Sequence, residues 1–170
     1  TRYLNFGGLP IIYQSDEPRL DLKEYVRTYV KEEIQAEALV RHIDQFARFL
    51  DALGPCSGEE MDFAKVAGDS GVPPRTVAGF VEVLKDTLLA FELMPFTGSK
   101  KRKAASKSKI FIFDVGVANY LARRAEIRPR SEEFGEAFEH FVIRETLSYL
   151  DYGQQDLRTY YWRTQRGEFE

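Results

Sequence analysis

The stretch of residues 61–114 places two short helix patterns, a tight turn and a basic hairpin pattern in unbroken succession. In MDFAKVAGDSG, Phe63, Val66 and Ala67 recur at helical spacing, and Gly71 supplies a turn at the end. The second pattern, VPPRTVAGFVEVLKDTLLAFEL, opens with two prolines, which suit a turn and a first helical position. Its apolar stripe consists of Val77, Phe80, Val81, Leu84 and Leu88. The pattern predicts two short helices around a glycine turn.

Two strand patterns follow the second helix and are separated by a basic segment. LLAFELMPF and KIFIFD are typical of strands, and TGSKKRKAASKSK contains six cations and no acid. A strand, a basic loop and a returning strand make a wing, so we predict a winged helix-turn-helix. Short helix pairs also occur in proteins that never bind nucleic acid, and winged helices also bind proteins. The fold alone therefore does not fix the function.

Composition limits the classes of function. The net charge of −3 argues against a uniformly basic nucleic-acid binder, so the basic contact surface must be local. Cys56 is the single cysteine, which excludes an intrachain disulfide and fits a reducing cytoplasm. No apolar run approaches the ~20 residues that cross a bilayer, so we expect no membrane partner. The chain begins without Met and stops at RGEFE inside a predicted strand, so we expect a longer parent protein.

Further helix patterns flank the predicted winged unit. Amphipathic helices are predicted over residues 20–30 and 34–53, and a short helix from Asp114, which would cap it, to Arg124. The longest pattern, EEFGEAFEHFVIRETLSYLDYG, is followed by DLRTYYWRT, a predicted strand, and GEFE, the start of a hairpin partner. The expected core side of that helix includes Phe134, Phe138, Phe141, Val142, Glu145 and residues 147–150.

The polar segment EIRPRSEE indicates a domain boundary near Pro129. We therefore predict a helical connector over residues 1–33, a winged helix-turn-helix domain over 34–128 and an α/β unit over 129–170. The fold class is α+β and mostly helical. The connector includes the turn at GGLP, which we expect to join short elements rather than to build a core.

Two kinds of site are not expected. The glycines Gly7 and Gly8 lack the pattern and the lysine of a phosphate-binding loop, which is missing from the whole chain, so no nucleotide site is predicted. His42 has no second histidine at ligand spacing and is interpreted as a surface or core-edge residue. The charges of Lys31, Glu32 and Glu33 are interpreted as a solvated face.

Several stretches together resemble the uncharacterised C-terminal region of prokaryotic AAA-type ATPases, over nearly the whole chain. They are FGGLP, EYVRTYVKEEI, VPPRTV, KIFIFDVGVANYL, FGEAFEHFVIRE and YYWRT. The resemblance implies a parent with an N-terminal P-loop ATPase module, a winged-helix domain and a domain similar to PD-(D/E)xK nucleases. ATP and Mg²⁺ would bind only in the N-terminal module, and no cofactor is expected in this chain.

The nuclease-like pattern bears on one acid. Gly135 and Glu139 match its G-x-x-x-E pattern, so the resemblance implies that Glu139 is a relict or truncated metal ligand. The remaining acids and the lysine would follow Glu170, and one glutamate cannot hold the cation for phosphodiester cleavage. We therefore expect the α/β unit to be a truncated, non-catalytic start of the nuclease-like domain. A solvated acid on a helix face is the alternative interpretation of Glu139.

The leading functional hypothesis is weak, salt-sensitive DNA binding by a non-catalytic recognition or coupling region of the ATPase. Arg75 and Thr76, at the start of the second helix, would face the groove. Phosphates would be contacted by Lys100, Lys101, Arg102, Lys103, Lys107 and Lys109. The alternatives are a module that docks the ATPase module to itself, as a homo-oligomer, or to a protein partner, and a fragment of a metal-dependent nuclease.

Overall fold

The computed structural model describes residues 1–30, 34, 42–96 and 107–162, with only the backbone of Tyr29 and Val30. Its described part is α+β and mostly helical. Helices α1 (Arg2–Phe6), α2 (Pro10–Tyr13) and α3 (Pro18–Tyr25) come first, and a π-helical turn (Val26–Val30) continues α3. Helix α4 (Ile43–Leu53) is followed by a 3₁₀ turn (Gly54–Cys56), and then by α5 (Phe63–Ser70) and α6 (Pro74–Asp86).

The second half of the described chain contains the strands. They are β1 (Ala90–Pro95), β2 (Lys109–Ile112) and β3 (Tyr160–Tyr161), and between β2 and β3 lie α7 (Val115–Leu121) and α8 (Glu132–Tyr152). The strand order is β2-β1-β3. Strands β1 and β2 are antiparallel, with Ala90 opposite Ile112, whereas β3 pairs with β1 in parallel. Glu60 forms an isolated bridge with Lys109 at the other side of β2.

The main core lies between α4, α5 and α6. Phe46, Phe49 and Phe80 form its aromatic centre, with the Phe46 and Phe80 ring centroids 5.3 Å apart in an edge-to-face arrangement. Ile12 of α2 and Leu22 of α3 are buried in the same cluster. The segment of residues 1–13, which we expected to build no core, therefore contributes Ile12 to it, whereas Leu22 packs as its amphipathic helix predicted.

A buried polar network holds α1 against α7. One Asp114 oxygen accepts hydrogen bonds from the amides of Gly116 and Val117 at 2.8 and 3.0 Å, which confirms the predicted cap. Its other oxygen accepts from the Gly8 amide at 2.8 Å. The Asn119 side chain donates to the Leu4 carbonyl at 2.7 Å. The contacts of Asp114 with Gly8 and of Asn119 with Leu4 join residues more than a hundred positions apart.

The structure corrects several predicted element boundaries. Helix α4 begins at Ile43, after His42 in a non-helical conformation, so it does not run unbroken from residue 34. The predicted helix over 20–30 changes to π geometry at Val26. Leu88, expected on the stripe of α6, is 81% exposed in the turn after the helix, with φ of 60°. Of the predicted strand DLRTYYWRT only Tyr160–Tyr161 is paired, and residues 163–170, with the predicted hairpin partner, lie outside the described residues.

Helix α8 buries only part of the face that the sequence indicated. Phe134 and Phe141 of that face are half-buried against the smaller core cluster. Phe138 and Val142 are 49% and 44% exposed, whereas Ala137 and His140 are buried. Ala137 packs with Leu4, Val115 and Ile127, because its small side chain allows α8 to approach closely. No helix in the described part of the chain is long and apolar enough to cross a membrane.

Candidate nucleic-acid interface

Helices α5 and α6 are joined by a turn whose residues fix the geometry. Asp62 caps α5, since one of its oxygens accepts from the amides of Ala64 and Lys65 at 3.0 Å each. Gly71 ends α5 in the left-handed region with φ of 65°, which glycine adopts without strain. The buried Ser70 hydroxyl donates to the Val66 carbonyl at 2.6 Å and accepts from the Val72 amide at 3.3 Å. The turn is thus held by local hydrogen bonds.

Arg75 and Thr76 follow Pro74 in the first turn of α6, as predicted. The Arg75 side chain is exposed and Thr76 is half-buried. Within the described part of the chain, no acidic side chain forms an ion pair with Arg75. A free guanidinium at the start of this helix can reach an external anion or a base edge.

Lys107 lies just before β2 and contacts the cap of α5. Its ammonium is 2.5 Å from the second Asp62 oxygen, and its side chain is half exposed. The hydrogen bond from Lys107 lowers the pKa of Asp62, and the bonds from the α5 amides add to this effect. The Met61 amide also donates to the Ser108 carbonyl at 2.8 Å. The Lys107 ammonium therefore already has an ion-pair partner, Asp62, within the protein.

Lys109 lies in β2 and joins the sheet to α8. Its ammonium is 2.9 Å from a Glu139 oxygen and 5.6 Å from the centre of the Tyr161 ring. The Lys109 side chain is 17% exposed. Glu139 is thus an ion-pair partner of the sheet. No group of three or more potential metal ligands lies within the described ranges, so a metal role for Glu139 stays a prediction.

The four cations Lys100, Lys101, Arg102 and Lys103 fall in the segment 97–106, outside the described residues. Strands β1 and β2 flank that segment, with Leu93 opposite Lys109 at the loop end of the described register. The basic segment therefore joins two paired antiparallel strands, as the hairpin prediction requires. Its contact with phosphates stays a prediction.

A second group of cations was not predicted from the sequence. Arg19, Lys23 and Arg27 recur at a spacing of four residues along α3 and the π-helical turn, and they line a cavity with Arg123 and Arg124. Their spacing alone could have indicated a cationic helix face, because residues four apart lie on the same face of a helix. The approach of residues 123 and 124 to that face depends on tertiary packing.

The chain is similar to a known protein family. A family model described as Domain of unknown function (DUF8612) matches residues 1–128. The chain belongs to the DUF8612 family. The matched DUF8612 region runs from α1 through α7, and α8 and β3 follow it. No curated protein and no solved structure matches the chain.

Proposed function

We propose that α4, α5, α6 and the β1–β2 hairpin of this DUF8612 chain form a winged helix-turn-helix that binds duplex DNA. The observation that carries the proposal is Arg75, an exposed guanidinium in the first turn of α6, without an acidic partner among the described residues. Its helix follows a glycine turn and precedes the hairpin with the basic segment. A recognition helix meets base edges through its N-terminal residues.

Two of the predicted phosphate-contacting lysines already form ion pairs, which narrows the set of candidate phosphate contacts. Lys107 and Lys109 are ion-paired with Asp62 and Glu139, so a phosphate would have to compete with an internal carboxylate for each of them. We therefore assign the main phosphate contacts to Lys100, Lys101, Arg102 and Lys103. Thr76 would support Arg75 at the groove through its hydroxyl.

The wider role follows from the resemblance of the sequence to the C-terminal region of AAA-type ATPases. We propose that the chain is a non-catalytic recognition or coupling region of such a cytoplasmic ATPase. The ATP and Mg²⁺ of the hydrolysis reaction would bind in the ATPase module, outside this chain. DNA binding by this chain would then either control which nucleotide the ATPase module holds or depend on it.

Substitution of Arg75 tests the base contact. Arg75→Ala should change the ratio of affinities for different ~20-base-pair duplexes by about tenfold, because a base contact is worth ~1–3 kcal/mol. Arg128→Ala removes an equal charge from an exposed position outside the proposed interface and should leave that ratio unchanged. Fluorescence anisotropy with a panel of duplexes at low salt measures both. Equal effects of the two substitutions would refute a groove role for Arg75.

An exposed apolar surface favours a second candidate function, a protein-docking or oligomerisation module. Met94, Phe96, Tyr160 and Trp162 are each 45–70% exposed around the β1–β3 pairing, and the Phe96 and Tyr160 rings lie 6.1 Å apart. Contiguous exposed apolar groups are typical of interaction sites. Sedimentation velocity over a hundredfold concentration range tests self-association. If Trp162→Ser abolishes a concentration-dependent dimer while the wild type binds no DNA, this candidate replaces the first.

A further inference from the structure

A cavity with a strongly positive lining lies between α1, α3, α4 and α7, away from the start of α6. Its volume is about 530 Å³, within the range of small-molecule sites. Five cationic side chains line it, and Asp51 is the one carboxylate among its described lining residues. An excess of cations around a concave surface attracts and concentrates anions.

Three of the cations come from one helix face. Arg19, Lys23 and Arg27 follow each other every four residues, are exposed, and form no ion pair with any acid in the described ranges. The last of them lies in the π-helical turn, a geometry that is rare and often found at functional sites. Three like charges on one face repel each other unless an anion binds between them. An anion bound between them would relieve this repulsion.

The facing wall is built by the end of α7 and the residues after it. Arg124 is held by Glu136 and by the Asn119 side-chain oxygen, the latter at 3.3 Å. Arg123 is largely exposed and 3.5 Å from Asp51, a distance and exposure at which an ion pair contributes little. Its guanidinium can therefore exchange Asp51 for a stronger anionic partner. Charges from two elements thus face one cavity.

The remaining lining includes two aromatic side chains, Phe6 and Tyr120, both half-buried. Their rings provide apolar contact area next to the guanidinium groups. A cavity of this size is too small to admit a DNA duplex, so its shape favours a small ligand. We propose that this cavity binds a small phosphorylated molecule that carries at least two negative charges, with Lys23 and Arg27 contacting the phosphates.

Isothermal titration calorimetry of the full chain with pyrophosphate, ADP and adenosine tests the proposal at low salt. Pyrophosphate and ADP should bind saturably with one site, and uncharged adenosine should not. The double substitution K23Q/R27Q should weaken both interactions at least about tenfold, because two charge-assisted contacts are lost. Tighter binding of ADP than of pyrophosphate would show that the aromatic wall contributes.

The matched control is R128Q/R158Q, which removes the same charge from two exposed positions that do not line the cavity. It should bind pyrophosphate as the wild type does, and circular dichroism should show equal folding of both double variants. The proposal is overturned if neither pyrophosphate nor ADP binds, or if both double variants weaken binding equally. It is also overturned if K23Q/R27Q weakens only the binding of a duplex, which would assign these cations to a nucleic-acid surface.

Discussion

Asp114 is the residue on which the packing of the N-terminal segment depends most. It is buried, caps α7 and accepts the Gly8 amide, so three backbone donors rely on one side chain. Burial raises the pKa of this carboxyl, and the hydrogen bonds from Gly8, Val117 and Gly116 oppose that rise. The cost of burying the carboxyl is thus offset only while its donors stay in place.

Removal of this side chain should be much more costly than removal of the exposed cap Asp62. Asp114→Ala should lower the free energy of unfolding by about 2–4 kcal/mol, because it leaves the buried amides of Gly116 and Val117 without their cap and removes the contact with the Gly8 amide. Asp62→Ala removes a cap that water can replace and should cost clearly less. Urea unfolding followed by circular dichroism compares the two, and equal losses would contradict the role given to the Gly8 contact.

His140 makes stability depend on pH. Burial lowers the pKa of its imidazole to about 4. A backbone hydrogen bond with Ile112 opposes this shift, and the charges of Arg144 and Arg124 add to it. Its Nε2 has no hydrogen-bond partner among the described residues, and its ring centre lies 5.3 Å from that of Phe111. The unfolded chain binds a proton near pH 6.5, whereas the folded chain resists it. The stabilisation is therefore complete above pH 6.5 and is lost as the pH falls through 4.

The variant His140→Phe keeps the aromatic packing and removes the titration. Between pH 7.5 and 4, the wild type should lose about 3 kcal/mol of stability relative to this variant, because the pKa difference is about 2.5 and each unit corresponds to ~1.4 kcal/mol. His42→Gln alters an exposed histidine and should keep the wild-type dependence. Urea unfolding at several pH values measures this. Parallel curves for the wild type and His140→Phe would contradict the account.

The sequence predicted the structural role of Asp114 but not that of His140. Asp114 precedes an apolar helix pattern, which is a local signal for a cap. Its bond to Gly8 was not predictable, because it depends on how α1 packs against α7. His140 gave no signal at all, since the aromatic residues around it indicated a different buried face of α8.

At the scale of elements, the close approach of α1 and α7 requires a glycine. A Cβ atom on Gly116 would lie 2.2 Å from the carbonyl carbon and oxygen of Phe6, which are backbone atoms. Gly79 of α6, in contrast, has open space around the position of its Cβ. Gly79 is therefore a suitable control position for an alanine substitution at Gly116.

Alanine at these two positions should have opposite effects. Gly116→Ala should lower the free energy of unfolding by about 2 kcal/mol or more, because α1 must move away from α7. Gly79→Ala should raise it by up to ~1 kcal/mol, because alanine has the higher helix propensity. Thermal unfolding monitored by circular dichroism gives the sign of each change. A stable Gly116→Ala protein with intact α1 packing would contradict the observed contact.

Local sequence patterns predicted the helices and strands of residues 61–114, but not the residues at which they end. Helix α6 buries Val77, Phe80, Val81 and Leu84 as predicted, and the pattern failed only at Leu88, beyond the helix end. Periodicity cannot locate the residue where a chain leaves the helix for a turn. For α8 the pattern favoured large aromatic side chains, of which Phe134 and Phe141 are half-buried, whereas the small Ala137 is fully buried at the closest contact.

At the scale of the whole molecule, the two proposals depend on cations from different parts of the chain. The basic hairpin segment was visible in the sequence as a run of cations. The basic cavity was not, because α3 and the end of α7 contribute its charges from positions about a hundred residues apart. A net charge of −3 conceals both groups. The two proposals are therefore independent, and either can fail alone.

The most direct test of the DNA-binding proposal is the salt dependence of duplex affinity. Fluorescence anisotropy with a ~20-base-pair duplex should show binding at low salt and its loss near physiological salt, with a slope of about −3.5 in log affinity against log salt if four phosphates are neutralised. Replacing Lys100, Lys101, Arg102 and Lys103 with alanine should flatten that slope on any sequence, whereas K23Q/R27Q should leave it unchanged. No binding at low salt, or an unchanged slope in the hairpin variant, would contradict the proposal.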